Sequence, residues 1–411
     1  MPFRYIVLFC FAAPLVGIMQ MEAGSYGGSV LQSGHPNSAT LAFGLGIVAF
    51  TASLVLARAL ISFRFDWLSP RPAPVPDDRI WILATMSLAG MALFTMFVAG
   101  GINVISRTIG RGDFRTELGD AGAISYLILK YYSPAIMAYL ALIYARRPWY
   151  DAAIPLAVPA IIVALIALSF GFKSGVVLAF LPAAVVYFWR VPDWMVIPLA
   201  ALAFVGIYVG YSFFDGLSDP STILDRLFYR LTVLQGDVAW KIWDLHARGD
   251  VLPSYIASLP AIFGDRVFTL VTGIDRTMAL DWVATHFGLL TTYLSGYPIH
   301  VIMAGHNNTA TIFSEGVLIG GLSGVIGIFA FAGVLTAGLY DFIRVCLQRN
   351  RYVEASLASS YFVFALMAWL LGGGITAILH ISILAGLVTG YILLKIIEGR
   401  RGDTGAEVYA T

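Results

Sequence analysis

The interval from about Ser212 to Asn308 holds most of the side chains in this chain that suit proton transfer. Within it, His306 and Asn307 open the stretch HNNTATIFSEG. An imidazole can accept a proton near neutral pH, as a general base that activates a hydroxyl group must. The alternative is a histidine that only forms structural hydrogen bonds. We take His306 as a candidate base, with Asn307 as its polar neighbour.

Arginines in the same interval suit anion binding. Arg266 and Arg276 lie in FGDRVFTLVTGIDRT, where each follows an aspartate. Arg226 and Arg230 are four residues apart and therefore share one face of a helix. The planar guanidinium group is always charged and matches the geometry of a phosphate. Local Asp–Arg pairs and a solvated charged face are the alternatives to an anion site.

Three further charged residues lie in or beside apolar stretches. Lys130 in YLILKYYSP is roughly 12 Å inside an apolar helix, so it must snorkel, pair or face a polar cavity. Lys173 is at the tip of a hairpin, SFGFKSG, where a solvated lysine is the simpler interpretation. Glu315 is near the start of a long apolar run and either assists the chemistry or forms a buried pair.

The composition of the chain indicates an integral membrane protein. Of 411 residues, 59% are hydrophobic and only 12% are charged, and the mean hydropathy is +0.82. Apolar runs of about 18 to 25 residues predict helices that cross the hydrocarbon core, without the alternation of a membrane barrel. The two cysteines form no CxxC pair and the histidine spacings match no metal set, so we expect no metal or cofactor. No basic block indicates nucleic acid.

We therefore predict an all-α polytopic membrane protein of about ten transmembrane helices. Its predicted parts are spans 1 to 7 in residues 1–213, an extracytoplasmic loop with amphipathic helices in 214–308, spans 8 to 10 in 309–397, and a cytoplasmic tail in 398–411. The orientation follows from the bias of arginine and lysine toward cytoplasmic loops, which places both termini inside. The predicted spans are Phe3–Met19, Leu41–Phe63, Ile80–Gly101, Ala121–Ala145, Ala153–Phe170, Ser174–Trp189, Met195–Phe213, Thr311–Tyr340, Ala355–Leu371 and Ile375–Ile397.

Local patterns add two expectations. Gly316, Gly320 and Gly324 have consecutive GxxxG spacing, which predicts one small-residue face and close helix packing. His380 lies alone in an apolar run, so we expect a structural role for it.

These features together resemble the Wzy-type polysaccharide polymerases and the related O-antigen ligases. The resemblance is carried by the number of spans, one dominant late outer loop, the SFGFKSG hairpin, and HNN leading into a glycine-rich helix. The hairpin has Lys173 before Ser174 where the family usually has a Ser-Arg pair. Gly316 follows His306-Asn307 after eight residues, one fewer than in the ligase pattern.

The resemblance implies an inverting, metal-independent glycosyltransferase in the bacterial inner membrane, with its active site facing the periplasm. The implied donor is an undecaprenyl-diphosphate-linked oligosaccharide, and the implied partners are membrane lipids and a chain-length regulator. His306 would activate the acceptor hydroxyl, while Lys173 and the arginines hold the diphosphate. The second hypothesis is an O-antigen ligase, which transfers polysaccharide from undecaprenyl diphosphate to a lipid acceptor. A flippase or other transporter, and a polytopic glycosyltransferase with its acids in the first outer loop, are further alternatives.

Overall fold

The computed structural model describes residues 2–24, 38–61, 65–106, 108–109, 119–145, 147–171, 175–190, 198, 201, 204–209, 212, 219–250, 255–304, 308 and 310–399. All regular structure in this part of the chain is helical. The helices before residue 200 are α1 (Pro2–Glu22), α2 (Ser38–Leu56), α3 (Asp78–Leu93), α4 (Gly101–Ile105), α5 (Gly119–Leu127), α6 (Ser133–Tyr144), α7 (Trp149–Leu168) and α8 (Gly175–Tyr187). Those after residue 200 are α9 (Pro220–Phe228), α10 (Leu234–Ala247), α11 (Asp265–Thr272), α12 (Ala279–Thr285), α13 (Phe287–Leu294), α14 (Ile299–Met303), α15 (Ile312–Gln348), α16 (Tyr352–Tyr361), α17 (Ala368–Gly372), α18 (Thr376–Leu379) and α19 (Ile381–Glu398).

The chain forms an all-α polytopic membrane protein. Eight helical stretches of the described residues are long and apolar enough to cross a membrane. They are Phe3–Glu22, Ser38–Leu60, Asp78–Val98, Ala121–Tyr144, Tyr150–Leu168, Ile312–Gln348, Tyr352–Gly372 and Thr376–Glu398. The sixth predicted span appears as the shorter apolar helix α8, of 13 residues, and most of the seventh lies outside the described residues. The total of ten stays a prediction.

The chain divides into two compact units. One comprises Met1–Arg64, Pro192–Phe342 and Phe362–Leu384, and it contains the long loop. The other comprises Phe65–Val191, Ile343–Tyr361 and Ala385–Thr411. In this second unit Arg351 donates to Glu354 at 2.5 Å, and both side chains are buried, so each charge is compensated by the other.

The described part of the long loop is helical, and its first described α-helix longer than one turn, α9, begins at Pro220. Asp219 caps α9 by accepting hydrogen bonds from the backbone N–H of Thr222 at 2.9 Å and from Ser221 Oγ at 2.6 Å. These bonds, led by the one from Ser221, lower the pKa of Asp219 to about 2. The loop then packs on the first span through glycines, since a Cβ at Gly236 on α10 would overlap the backbone of Gly17 on α1.

A break in α15 corrects the expectation of one continuous glycine face. Gly320 and Gly321 have non-helical backbone angles, and Gly321 has a φ of 60° that favours glycine. The arms 312–319 and 322–348 meet at this break. A Cβ on Gly324 would overlap the carbonyl oxygen of Gly316, so these two glycines pack against each other across the break. The predicted close packing is correct, but it occurs between the two arms of α15 and not along one face of a straight helix.

The break predicts different outcomes for two neighbouring glycine substitutions. Gly324→Ala places a methyl group on the Gly316 carbonyl oxygen, and overpacking of this kind costs about 1–3 kcal/mol. Gly327→Ala is the matched control, because a Cβ there has no atom within 4 Å and alanine favours a helix by up to about 1 kcal/mol over glycine. Thermal unfolding of the detergent-solubilised protein should show a lower midpoint for Gly324→Ala alone. Equal midpoints would contradict the break.

Candidate functional site

Glu315 connects the short arm of α15 to the turn between α17 and α18. Its side chain is fully buried. Oε2 accepts hydrogen bonds from the indole Nε1 of Trp369 at 2.7 Å and from the backbone N–H of Gly374 at 2.9 Å. Oε1 accepts from the backbone N–H of Ile375 at 2.8 Å. Three donors replace water around the carboxylate, as a buried charge requires.

The backbone at this turn can present its N–H groups because two glycines form it. Gly373 has a φ of 67° and Gly374 a φ of 82°, which is the region that glycine adopts at little cost. The turn also packs against the loop, since a Cβ on Gly373 would overlap the ring of Phe287 at the start of α13. Glu315 thus holds the glycine turn in place, and Phe287 packs on that turn. His286 directly precedes Phe287, so its position depends on the same turn.

His286 is held in a defined orientation by two contacts with Trp282. Its Nδ1 lies 2.8 Å from the carbonyl oxygen of Trp282. A carbonyl only accepts, so Nδ1 carries the proton. The imidazole also stacks on the Trp282 ring with centroids 4.0 Å apart and an interplanar angle of 28°. Nε2 is therefore directed to the other side, where it lies 3.6 Å from Oδ1 of Asp265.

Asp265 is the exposed member of this pair, since 68% of its side chain is accessible to solvent. The polar contact with His286 lowers the pKa of Asp265, and electrostatic interaction with His286, His380 and Arg276 acts in the same direction. The site cluster, as we call Asp265, His286, His380 and Arg276, thus combines a carboxylate, two imidazoles and a guanidinium group. Such a set can exchange protons and hold an anion.

His380 reaches the site cluster from the membrane-spanning part of the chain. It separates α18 from α19, and its Nδ1 accepts from the backbone N–H of Ser382 at 3.2 Å and lies 2.7 Å from Ser382 Oγ. It therefore caps α19, which agrees with the expected structural role. Its Nε2 lies 3.9 Å from the position of a Cβ on Gly264, the residue before Asp265.

A cavity of about 540 Å³ lies in the same unit. Leu259 of the loop, the α15 residues Glu315, Gly324 and Phe331, and Trp369 of α17 are among its lining residues. The carboxylate of Glu315 is turned to its three donors, and most of the other walls are apolar. The cavity therefore suits hydrocarbon better than a sugar or a phosphate.

The site residues predicted from the sequence that lie among the described residues are found in both units. Arg226, Arg230, Arg266 and Arg276 are all exposed in the loop of the first unit. Among them, Arg276 contributes to the lowered pKa of Asp265. Asp275, which precedes Arg276, instead accepts a hydrogen bond from the backbone N–H of Thr277 at 2.8 Å.

Lys130 belongs to the second unit, in a π-helical turn that follows α5. It is half-buried, and its ammonium group lies 5.5 Å from the centroid of the Tyr126 ring. A cation–π contact of this kind compensates part of the cost of a charge in an apolar helix. His306, Asn307 and Lys173 lie outside the described residues.

Sequence reasoning missed Asp265 and His286. Asp265 was interpreted as a local partner of Arg266, and His286 was one of four histidines in the loop without a distinguishing motif. The four-residue spacing of Trp282 and His286 is the one available signal, because it brings the imidazole to the carbonyl of the preceding helical turn.

Comparison with known proteins finds no matching family model, no significantly similar curated protein and no significantly similar solved structure. Within the described residues, no group of three or more His, Cys, Asp or Glu side chains is arranged to hold a metal ion.

Replacing Glu315 tests the connection between α15 and the glycine turn. Glu315→Gln keeps the shape but brings an amide NH₂ against N–H donors, so at least one buried donor loses its acceptor, at a cost of about 1–3 kcal/mol. Ser314→Ala is the control, because Ser314 is equally buried and its Oγ has no hydrogen-bond partner among the described residues. We expect a lower unfolding midpoint for Glu315→Gln and little change for Ser314→Ala. The reverse order would show that the carboxylate is dispensable.

Asp265 predicts a pH-dependent difference in stability. Its folded pKa lies below the ordinary value of 3.8, so the contact with His286 stabilises the fold above that pH and is lost as the pH falls through the folded pKa. Because Asp265 is largely exposed, the effect is no more than about 1 kcal/mol. The unfolding midpoint of wild type should exceed that of Asp265→Asn at about pH 6, and the two should converge as the pH falls below the folded pKa of Asp265. Asp281→Asn, which removes an exposed carboxylate of α12, is the control. A difference that grows in acid would contradict the pairing.

Proposed function

We propose that the protein polymerises undecaprenyl-diphosphate-linked oligosaccharide repeat units into a cell-surface polysaccharide, at the outer face of the bacterial inner membrane. The observation that carries the proposal is the site cluster. In it, His286 Nε2 lies 3.6 Å from Oδ1 of Asp265, and Nε2 of His380, from a membrane span, lies 3.9 Å from the Cβ position of Gly264, the residue before Asp265. Arg276 adds a positive charge that lowers the pKa of Asp265. Proton-transferring and anion-binding groups at the end of a span suit a substrate whose diphosphate is anchored by a lipid.

The chemistry divides between two kinds of side chain. When the bond from the sugar to the diphosphate breaks, negative charge develops on the leaving oxygen, and a fixed guanidinium group stabilises it in that state. Arg266 and Arg276, exposed at α11 and just after it, fill this role. Arg226 and Arg230 supply further positive charge for the donor, and Glu315 lines the apolar cavity in the same unit as the four arginines. Lys130 and Lys173 of the second unit stay predicted donor-binding residues.

The acceptor hydroxyl must lose a proton as it attacks the sugar, and His306 is our candidate base, with Asn307 beside it. A described residue close to His306 in sequence contacts α13. Asn308, two residues after His306, is buried, and its backbone N–H donates to Thr292 Oγ1 at 2.9 Å. Thr292 belongs to α13, the helix that begins directly after His286.

An O-antigen ligase would use the same donor and leaving group and differ only in its lipid acceptor. The site cluster serves both reactions, so the acceptor must be varied in the test. A chain-length regulator would act on the length of the product and is not required for a single transfer.

Substitutions at His306 and Arg276 should separate chemistry from binding. His306→Ala should reduce glycosyl transfer by about 10²–10⁴-fold while donor binding stays near wild type, because a general base takes a proton and does not hold the diphosphate. Arg276→Ala should weaken donor binding as well as transfer, and Arg276→Lys should restore little if the contact is bidentate. The measurements are product formation from a defined lipid-linked repeat unit, donor binding and thermal stability of the purified protein.

Arg4→Ala, at an exposed position of α1, is the control for loss of an arginine. A stable, donor-binding His306→Ala variant that polymerises at the wild-type rate would remove His306 from the mechanism. Transfer to a lipid acceptor without polymer would favour the ligase. Absence of any covalent product from wild type would reject both reactions.

A further inference from the structure

Helix α11 has three faces of different character. Phe268 is fully buried and packs with Ala261 and Trp282 in the core of the loop. Asp265 and Thr269 lie on a polar side. The third face consists of Val267, Leu270 and Val271, whose spacing places them together on the helix surface. We call these three residues the outer apolar face.

The outer apolar face is unusually exposed. The accessible fractions are 41% for Val267, 84% for Leu270 and 68% for Val271. The other apolar side of the helix is already used by Phe268, so the exposed residues are not the core-facing stripe of an ordinary amphipathic helix. A second apolar face on an eight-residue helix indicates a second apolar environment.

The position of α11 shows which environment adjoins it. Gly264, which precedes the helix, lies against the span Thr376–Glu398, because its Cβ position is 4.0 Å from Cγ2 of Ile381. Ile381 and Leu384 are themselves exposed apolar residues of that span, with 46% and 58% accessible. Exposed apolar side chains on a membrane span suit contact with lipid. The outer apolar face is thus borne by a helix that begins beside a lipid-facing surface.

We propose that α11 lies in the plane of the membrane interface, with Val267, Leu270 and Val271 inserted among the acyl chains of the outer leaflet. Arg266, exposed beside this face, then sits at the level of the lipid phosphates, as basic residues flanking the apolar face of interfacial helices do. A second copy of the chain is the poorer occupant, since three side chains offer far less than the ~1,200 Å² that stable protein interfaces bury. The proposal requires the membrane and the predicted orientation of the loop, and not the glycosyl transfer proposed above.

A spin label at Leu270 tests the proposal directly. Leu270→Cys carries a nitroxide in full-length protein reconstituted into vesicles of phosphatidylethanolamine and phosphatidylglycerol. Its collision rates are measured by electron paramagnetic resonance with molecular oxygen, which concentrates in hydrocarbon, and with a water-soluble nickel chelate. Thr269→Cys, on the polar side of the same helix, is the matched control. Unmodified protein is the labelling blank, because Cys10 and Cys346 are buried.

We expect oxygen to collide with the label at position 270 several-fold more often than the nickel chelate does, and this preference to be lost or reversed at position 269. A nickel preference at 270 would place the face in water and overturn the proposal. An immobilised label at 270 that neither reagent reaches would mean that protein covers the face, which also overturns it. Val271→Cys repeats the measurement at a second exposed position, so the result does not depend on one variant.

Discussion

A carboxylate among apolar helices is stable only where hydrogen-bond donors replace water, and Glu315 meets this requirement through donors from a distant part of the chain. Trp369, Gly374 and Ile375 all follow it by more than 50 residues. Satisfying the charge therefore fixes the short arm of α15 against the turn between α17 and α18. Phe287 packs on that same turn, so the position of His286 depends indirectly on Glu315. The site cluster belongs to the loop and one membrane span, but the buried carboxylate determines where they meet.

Glycine makes this arrangement possible for two different reasons. At Gly321, Gly373 and Gly374 the backbone needs a positive φ, which allows the chain to break α15 and to turn between α17 and α18. At Gly316 and Gly324 the absence of a Cβ allows two backbone segments to touch. A GxxxG spacing does not distinguish these reasons, and it carries no information on whether the helix that contains it is straight. This is why close packing was predictable from the sequence while the break in α15 was not.

A local sequence pattern does not show how distant segments pack together. For this reason the spans were predictable, whereas part of the site was missed. Apolar runs report burial in lipid directly, and the boundaries of spans such as Ala121–Tyr144 follow from them. The pairing of Asp265 with His286 depends instead on where two loop helices fold back, and no local pattern encodes that contact. Arg276 was found because a guanidinium group is informative by its type alone. Asp265 was assigned to its sequence neighbour because proximity in sequence was then the only available measure of distance.

The two members of the Asp265–His286 pair differ in exposure and in how firmly they are held. His286 is fixed by the carbonyl and the ring of Trp282, while the carboxylate that it faces is open to solvent. The imidazole is therefore held in place, and the carboxylate is the member of the pair that a substrate can reach. The negative charge of Asp265 repels an anionic group, whereas Arg276 is the member of the site cluster whose permanent positive charge attracts one. A sugar hydroxyl has no such restriction and can bind the carboxylate directly. The site cluster therefore offers different partners to a hydroxyl group and to an anion, namely Asp265 and Arg276.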